Sequence, residues 1–433
     1  MRHFLASLTL FFTVHCAAWA QAGASTSSIA PVLKYVKAGR LFDSQTGRML
    51  TNQTIIIENN LVKQIGPNLP VPAGAETIDL SAQTVLPGLI DCHTHVTTQP
   101  ENYLEDLFRR SSIDAAITAH VYARRTLEAG FTACRDVGAA DLVDVALKRA
   151  INAGKVVGPR MFVAGPAIGS TGGHADMTGF SPQVRIESIA TGIADGEEAI
   201  RKQVRYNVKY GADLIKMIAT AGVLSEEEAV GAPQYSEGEM RALVDEAHRW
   251  GRRVAAHAHG TEGIKMAVRA GVTSIEHGSL LDDEAIKLMK QHGTWLVSDI
   301  YDDDWILTEY AKLGYPAAII EKERSVGKLQ RESFRRAVKA GVKIAFGTDA
   351  GVYPHGYNAR QFKYMVEYGL TPAQAIQSAT LRAAELIGQE AKIGSLAPGK
   401  FADLIAITGD PLQDIRLLEK VGFVMKDGVV IKQ

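Results

Sequence analysis

The sequence predicts an α/β fold, a (β/α)8 TIM barrel with a small β-sandwich formed from both chain ends. Three observations carry that prediction. Between Leu89 and Ala350, eight short apolar or β-branched runs alternate with longer amphipathic stretches, the pattern of a parallel sheet with crossover helices. Seven glycines, Gly130, Gly154, Gly211, Gly251, Gly271, Gly293 and Gly341, each stand between a helical stretch and the next run, where a left-handed residue ends a helix. No G-x-G-x-x-G turn follows the first run, as an open dinucleotide-binding sheet would require, so the closed barrel is favoured.

Taken from the amino end, Arg2 and His3 precede an apolar run from Phe4 to Val14, and small residues around Ala18-Trp19-Ala20 follow. This reads as a secretory signal, residues 1–20, cleaved after Ala20, and it predicts a periplasmic or secreted protein. The run is too short to span a bilayer. Cys16 falls inside it, but Val14 and His15 make a poor lipoprotein cleavage site. The mature chain keeps Cys92 and Cys134, expected to be reduced core residues, since two cysteines in so long a chain make no disulfide scaffold.

Residues 34–88 read as short strands and turns: Thr54 to Glu58 is β-branched, Asn59-Asn60 is a turn, and Leu61 to Ile65 resumes the strand. The eight barrel runs follow within residues 89–388. They are Leu89 to Val96, Phe131 to Asp136, Arg160 to Gly165, Asp213 to Ile218, Arg253 to Ala258, Val272 to His277, Trp295 to Ile300 and Lys343 to Thr348. Ser236 with Glu239 predicts a capping box after Pro233. In residues 389–433, Phe401 to Thr408 and Phe423 to Lys432 read as strands around Gly409-Asp410-Pro411 and Asp427-Gly428 turns. Neither flank can bury a β core alone, so the two are expected to meet in one sandwich.

Composition narrows the function. The chain has 433 residues, 46% hydrophobic and 22% charged, with a formal net charge of -1. That suits a globular protein with a large core. It supplies no basic footprint for nucleic acid or an anionic membrane, which argues against either as a partner.

A barrel of this kind builds its active site at the carboxyl ends of its strands. The first run ends Asp91-Cys92-His93-Thr94-His95, and residues two apart in a strand point the same way, so His93 and His95 can present two imidazoles to one metal. Such a pair can equally be core residues. The fourth run carries Lys216, the fifth leads to His257 and His259, the sixth closes with His277, and Asp349 follows the eighth. A buried lysine is costly unless paired, and Asp349 alone could be a helix cap. Five of eight strand ends with ionisable or metal-competent groups favour a site.

These residues carry a resemblance. Leu86-Pro87-Gly88-Leu89-Ile90-Asp91-Cys92-His93-Thr94-His95, Gly347-Thr348-Asp349-Ala350 and Gly394-Ser395-Leu396-Ala397-Pro398-Gly399-Lys400-Phe401-Ala402-Asp403-Leu404 resemble the opening metal motif, the closing aspartate motif and the carboxyl-terminal β-module signature of the metal-dependent amidohydrolase superfamily. Ser170-Thr171-Gly172-Gly173-His174, His257-Ala258-His259-Gly260 and Thr348 to Gly356 are most similar to its branch of Xaa-Pro dipeptidases, related carboxypeptidases and ochratoxin amidohydrolases, and look especially close to the bacterial ochratoxin-degrading members.

The resemblance implies two Zn2+ per chain. His93, His95 and Asp349 would hold one, His257 and His277 the second, and Lys216, carboxylated on its amine, would bridge them together with a hydroxide. Carboxylation turns the buried cation into an anionic oxygen ligand. Two metals lower the pKa of a shared water from 15.7 towards about 7, and Asp349 would pass its proton to the leaving amine. Asp349 and Lys216 are thus the implied catalytic residues. The reaction implied is cleavage of the amide bond to a C-terminal amino acid in N-acyl amino acids or dipeptides, ochratoxin A included. Relatives in this branch assemble as homo-oligomers, often octamers.

His259 faces the same side as His257 if the strand continues, and is expected to support the site or contact substrate. His174, in a loop after the third run, is a candidate for the substrate carbonyl or carboxylate. Tyr235 and His355, in loops after the fourth and eighth runs, are candidates of the same kind. His120, His248 and His292 fall in helical stretches and read as solvated, and the acidic runs Asp302-Asp303-Asp304 and Glu226-Glu227-Glu228 as solvated surface or a helix start. Two rivals remain: a cyclic amidase or deaminase on the same barrel, which would release a ring-opened acid or ammonia, and a non-catalytic binding protein, which the complete six-ligand set argues against.

Overall fold

The eight predicted runs form eight parallel strands in a computed structural model that describes residues 31–102, 109–178, 181, 189–225 and 229–433. The predicted signal segment and Glu226-Glu227-Glu228 lie outside the described residues. The chain divides into a segment Met1–Val32 and a unit Leu33–Gln433, whose architecture follows.

After four strands of the amino-terminal flank, β1 (Leu33–Asp43), β2 (Arg48–Glu58), β3 (Leu61–Pro67) and β4 (Thr77–Pro87), come the barrel strands. These are β5 (Leu89–Thr94), β6 (Phe131–Asp136), β7 (Arg160–Val163), β8 (Leu214–Ile218), β9 (Arg253–Ala258), β10 (Ser274–His277), β11 (Trp295–Val297) and β12 (Lys343–Ile344). They hydrogen-bond as two arcs, β5-β6-β7 and β12-β11-β10-β9-β8. The arcs meet twice: Ile168, just past β7, bridges Met217 of β8, and Thr94 of β5 bridges Ala350. At the second junction the Cys92 N–H also donates to the Phe346 carbonyl at 2.8 Å. All eight strands therefore follow one continuous parallel order, with β5, β6 and β8 buried along their whole length, as strands covered on both faces must be.

Between them lie α1 (Ser112–Glu128), α2 (Val143–Asn152), α3 (Gly196–Tyr210), α4 (Glu237–Arg249), α5 (Thr261–Ala270) and α6 (Asp283–His292), with α7 (Asp302–Glu309) and α8 (Ala317–Ala340) in the connection after β11. All seven predicted terminator glycines have positive φ, from 65° at Gly251 to 115° at Gly211. The Ser236/Glu239 capping box is present at the start of α4. The runs predicted through Ile300 and Thr348 leave the ladder at Val297 and Ile344. There the Gln361 side-chain amide donates to the carbonyls of Ser298 and Gly347, at 2.5 and 2.9 Å, taking the place of strand partners and freeing Asp299 and Asp349 for the barrel mouth.

The two flanks combine as predicted, although as one sheet. Strands β13 (Leu404–Ile407), β14 (Phe423–Lys426) and β15 (Val429–Lys432) join the first four in the order β15-β14-β13-β4-β1-β2-β3. The sheet bends so that Leu61 bridges Phe401, and both ends cover a core of Val36, Ile55, Ile57, Val85, Leu404 and Phe423. Cys92 and Cys134 are buried and free. Among the described residues no helix is long and apolar enough to cross a membrane.

Candidate metal centre

At the carboxyl ends of the strands, lone pairs converge. His93 Nε2 and His95 Nε2 lie 3.4 and 3.3 Å from the same atom, Asp349 Oδ1, and Lys216 Nζ lies 3.5 Å from His93 Nε2. Opposite them, His257, His259 and His277 each bring a ring nitrogen within 4.8 Å of the others'. The two groups touch, because the rings of His93 and His277 are 5.0 Å apart between centroids.

Second partners fix which nitrogen each ring presents. The Nδ1–H of His93 donates to Glu276 Oε2 at 3.0 Å, that of His95 to the Gly138 carbonyl at 2.9 Å, and that of His277 to Asp299 at 2.8 Å. A carbonyl and an ionised carboxylate only accept, so with Glu276 and Asp299 ionised all three rings carry their proton on Nδ1 and can turn Nε2 inward. His259 Nδ1 sits 2.6 Å from Ser279 Oγ, whose own proton goes to Gln330 Oε1 at 2.8 Å, and the same conclusion holds.

Two of the inward atoms, His257 Nε2 and Asp349 Oδ1, are buried without a hydrogen-bond partner among the described residues. A buried polar atom left unpaired costs about 1 to 3 kcal/mol, and several such lone pairs aimed at common points are what a cation satisfies. The donor set of imidazoles and one carboxylate suits zinc-type coordination. The residues therefore fit a metal pair: His93, His95 and Asp349 on one side, His257 and His277 with His259 beside them on the other, and Lys216 between.

Two of these residues have strained backbones. His277 has φ of 70° and Asp349 of 53°, left-handed values rare outside glycine and costing about 1 to 3 kcal/mol when held. Glu276 and His277 are neighbours and would face opposite ways in a regular strand, yet both reach His93.

Electrostatics agree with this assignment. Burial pushes Lys216 below the usual amine value, against the pull of Glu276 and Asp349. Burial also holds His257, His259 and His277 neutral, well below the usual imidazole value. For Asp349 burial works to raise the pKa, but the facing His93 and His95, when their Nε2 atoms carry protons in place of a metal, outweigh it and hold the carboxyl well below its usual range. Asp91 beneath the centre accepts from the His93 N–H, Thr348 Oγ1 and Asn358 Nδ2 at 3.1, 2.6 and 2.8 Å, tying β5 to the segment that carries Asp349.

Both groups open onto a cavity of about 1780 Å3. Of the predicted substrate contacts, His174 and His259 line it. The ring of His174 stacks on His257 at 4.2 Å, in space that only Gly222 leaves, since a Cβ there would sit 2.4 Å from that ring. Its Nδ1 is 2.6 Å from Ser225 Oγ. Strand β9 ends at Ala258, so His259 belongs to the loop, but it faces the metal ligands rather than supporting them from behind.

Tyr235 and His355 are corrections. Tyr235 is buried in the apolar core, its hydroxyl donating to the Ala194 carbonyl at 2.7 Å, and it does not line the cavity. His355 is buried against Tyr122, and its Nε2–H donates to the carbonyls of His95 and Thr98 at 3.1 and 2.8 Å. It braces the loop after β5, and burial lowers its pKa to about 4. The reading of Asp302-Asp303-Asp304 as a helix start holds, since α7 begins there, but Asp302 and Asp303 are buried. His120, His248 and His292 are exposed on helices as predicted.

The residues that sequence reasoning missed are Glu276, Arg135 and Asp299, which orient the ligands from behind. Arg135 donates to both Glu276 oxygens at 2.7 and 2.8 Å. Their signal was a charged residue inside a strand run, as in Val272-Thr273-Ser274-Ile275-Glu276-His277.

Comparison with known proteins follows the same lines. The model of the amidohydrolase family matches residues 84–432. Ochratoxinase of Aspergillus niger is 32% identical over 410 residues, covering 89% of this chain and 84% of its own. A solved Xaa-Pro dipeptidase with methionine bound in its active site superposes with a TM-score of 0.89 at 40% identity, covering 93% of this chain and 100% of that one. A prolidase solved with N-methylphosphonate-L-proline gives 0.85 at 34% identity, with the same coverage.

Proposed function

The chain belongs to the amidohydrolase family, a hydrolase of amide bonds, and from that premise we propose that it is a two-zinc enzyme releasing a C-terminal amino acid from dipeptides or N-acyl amino acids. Ochratoxin A, whose amide joins an aromatic acid to phenylalanine, falls within that class. The observation that carries the reading is the convergence of His93, His95 and Asp349 Oδ1 within 3.4 Å beside Lys216, across from His257, His259 and His277. Relatives named as a dipeptidase and an ochratoxinase support the substrate class.

When bound, the metal pair polarises the scissile carbonyl and lowers the pKa of a water towards about 7. The chain's residues do the rest. Burial shifts Lys216 towards its neutral amine, to which carbon dioxide would add with loss of one N–H proton to solvent, leaving an anionic carbamate oxygen donor beside His93. Asp349 stays ionised at neutral pH, so an Oδ atom accepts the proton of the attacking water and returns it to the leaving amine. His174, on the cavity side of His257, binds the substrate's carbonyl oxygen or carboxylate.

Export to the periplasm or medium and assembly into a homo-oligomer belong to the same proposal. They rest on the amino-terminal apolar run and on the family resemblance, and fractionation and size-exclusion chromatography check them. The catalytic reading is tested by offering the purified protein a mixture of dipeptides, N-acyl amino acids and ochratoxin A and identifying products by mass spectrometry. Free C-terminal amino acids are expected. Ammonia or a ring-opened acid as the product would turn the assignment to a deaminase or cyclic amidase.

A further inference from the structure

Beside the metal ligands, one wall of the cavity is built by α7 and α8 and carries acids besides Asp299, the partner of His277, that the chemistry above does not use. Asp299, Asp302 and Glu323 all line the cavity, and each is buried, Glu323 to 4% exposure. Their partners differ. Asp299 is bonded to His277, and Asp302 shares a hydrogen bond with Asp299. Asp303 pairs with Arg331 at 3.2 Å, and Arg331 is spent further on Asp304 at 2.7 Å. Lys322, next to Glu323 in α8, turns its amine to the carbonyls of Gly222 and Ser225.

Glu323 is left without a hydrogen bond or ion pair among the described residues. Room is kept for it: a Cβ at Gly327, one turn on, would stand 2.8 Å from Glu323 Oε1 and 2.4 Å from Asp303. The same wall holds Tyr310 stacked on Tyr315 at 3.9 Å. Burial, with Asp302 and Asp303 close by, pushes Glu323 well above the usual carboxylate value, and a cation entering the cavity is what restores its charge. A cation there also gains from the aromatic faces.

We propose that Glu323, with Tyr310 and Tyr315, forms a subsite for a positively charged group of the substrate, an ammonium or a guanidinium. The proposal rests on the amide-hydrolase reading and narrows it. Dipeptides that carry a cation are the preferred substrates, and neutral N-acyl amino acids are poor ones. The cation has two sources, the free α-amine of a dipeptide and a basic side chain, which share one chemistry.

The test is a set of matched substrates compared by kcat/KM: Ala-Phe against propionyl-Phe for the α-amine, Ala-Lys against Ala-norleucine, and Lys-Ala against norleucine-Ala. In at least one pair the cationic member is expected to be better by about tenfold or more, the worth of a charge-assisted bond, and that pair identifies the source. Glu323→Gln and Glu323→Met are each expected to shrink that ratio by about tenfold or more, read as a ratio so that a general loss of activity does not count. No preference in any wild-type pair overturns the subsite, even if neither variant folds. A preference that persists in a folded variant overturns it too. If the wild type hydrolyses none of these amides, the amide-hydrolase reading itself has failed, and that result is distinct from hydrolysis without preference.

Discussion

Glu276 holds His93 from behind, accepting its Nδ1–H at 3.0 Å while the Arg135 guanidinium grips both oxygens of the same carboxylate. Carboxylate, imidazole and guanidinium are all buried, so the bonds are made in a medium that strengthens them. The arrangement sets the His93 tautomer and leaves Nε2 free for a metal.

Replacing Glu276 by Gln removes the charge from this chain of contacts and leaves Arg135 buried against a neutral amide. We expect zinc affinity, measured by competition with a chromogenic chelator, to fall about 10- to 100-fold, the usual cost of losing a partner behind a ligand. Unchanged zinc retention would show that His93 needs no such support.

Lys216→Ala is expected to abolish amide hydrolysis, because Lys216, 3.5 Å from His93 Nε2, is the residue that would supply a ligand shared by the two groups. A small carboxylic acid added to the medium is expected to restore part of the rate by supplying the oxygen ligand that the modified lysine provides. An Ala variant with full activity would remove Lys216 from the centre.

How far the site could be read from sequence follows from where each residue sits. His93, His95, Lys216, His257 and His277 lie in or just past strand runs whose apolar texture is legible, and the barrel brings strand ends together whatever the loops do. The seven glycine terminators were legible for the same reason, since a left-handed helix end is a local requirement. Tyr235 and His355 were misread because a loop position fixes neither burial nor direction. Tyr235 turned into the core to reach the Ala194 carbonyl, and His355 turned under the β5 loop. Glu276 was hidden by strand alternation, which the left-handed turn at His277 breaks.

His355 also gives a pH signature. Burial lowers its folded pKa to about 4 from an ordinary value of 6.5, so as pH falls from 6.5 towards 4 the unfolded chain takes up a proton that the folded chain refuses. Its contribution to stability is complete above 6.5 and is lost across that window. We therefore expect the drop in Tm between pH 7 and pH 4.5 to be smaller in His355→Gln than in wild type, by scanning calorimetry. An equal or larger drop in the variant would mean that His355 is not held neutral.

Amide hydrolysis by this chain is expected to depend on a metal pair held by the two facing groups. Its most direct test follows free amino acid released from a dipeptide as zinc is returned to the metal-stripped protein. No release is expected without metal, and a plateau at about two zinc per chain. Full release by the metal-stripped protein would contradict it.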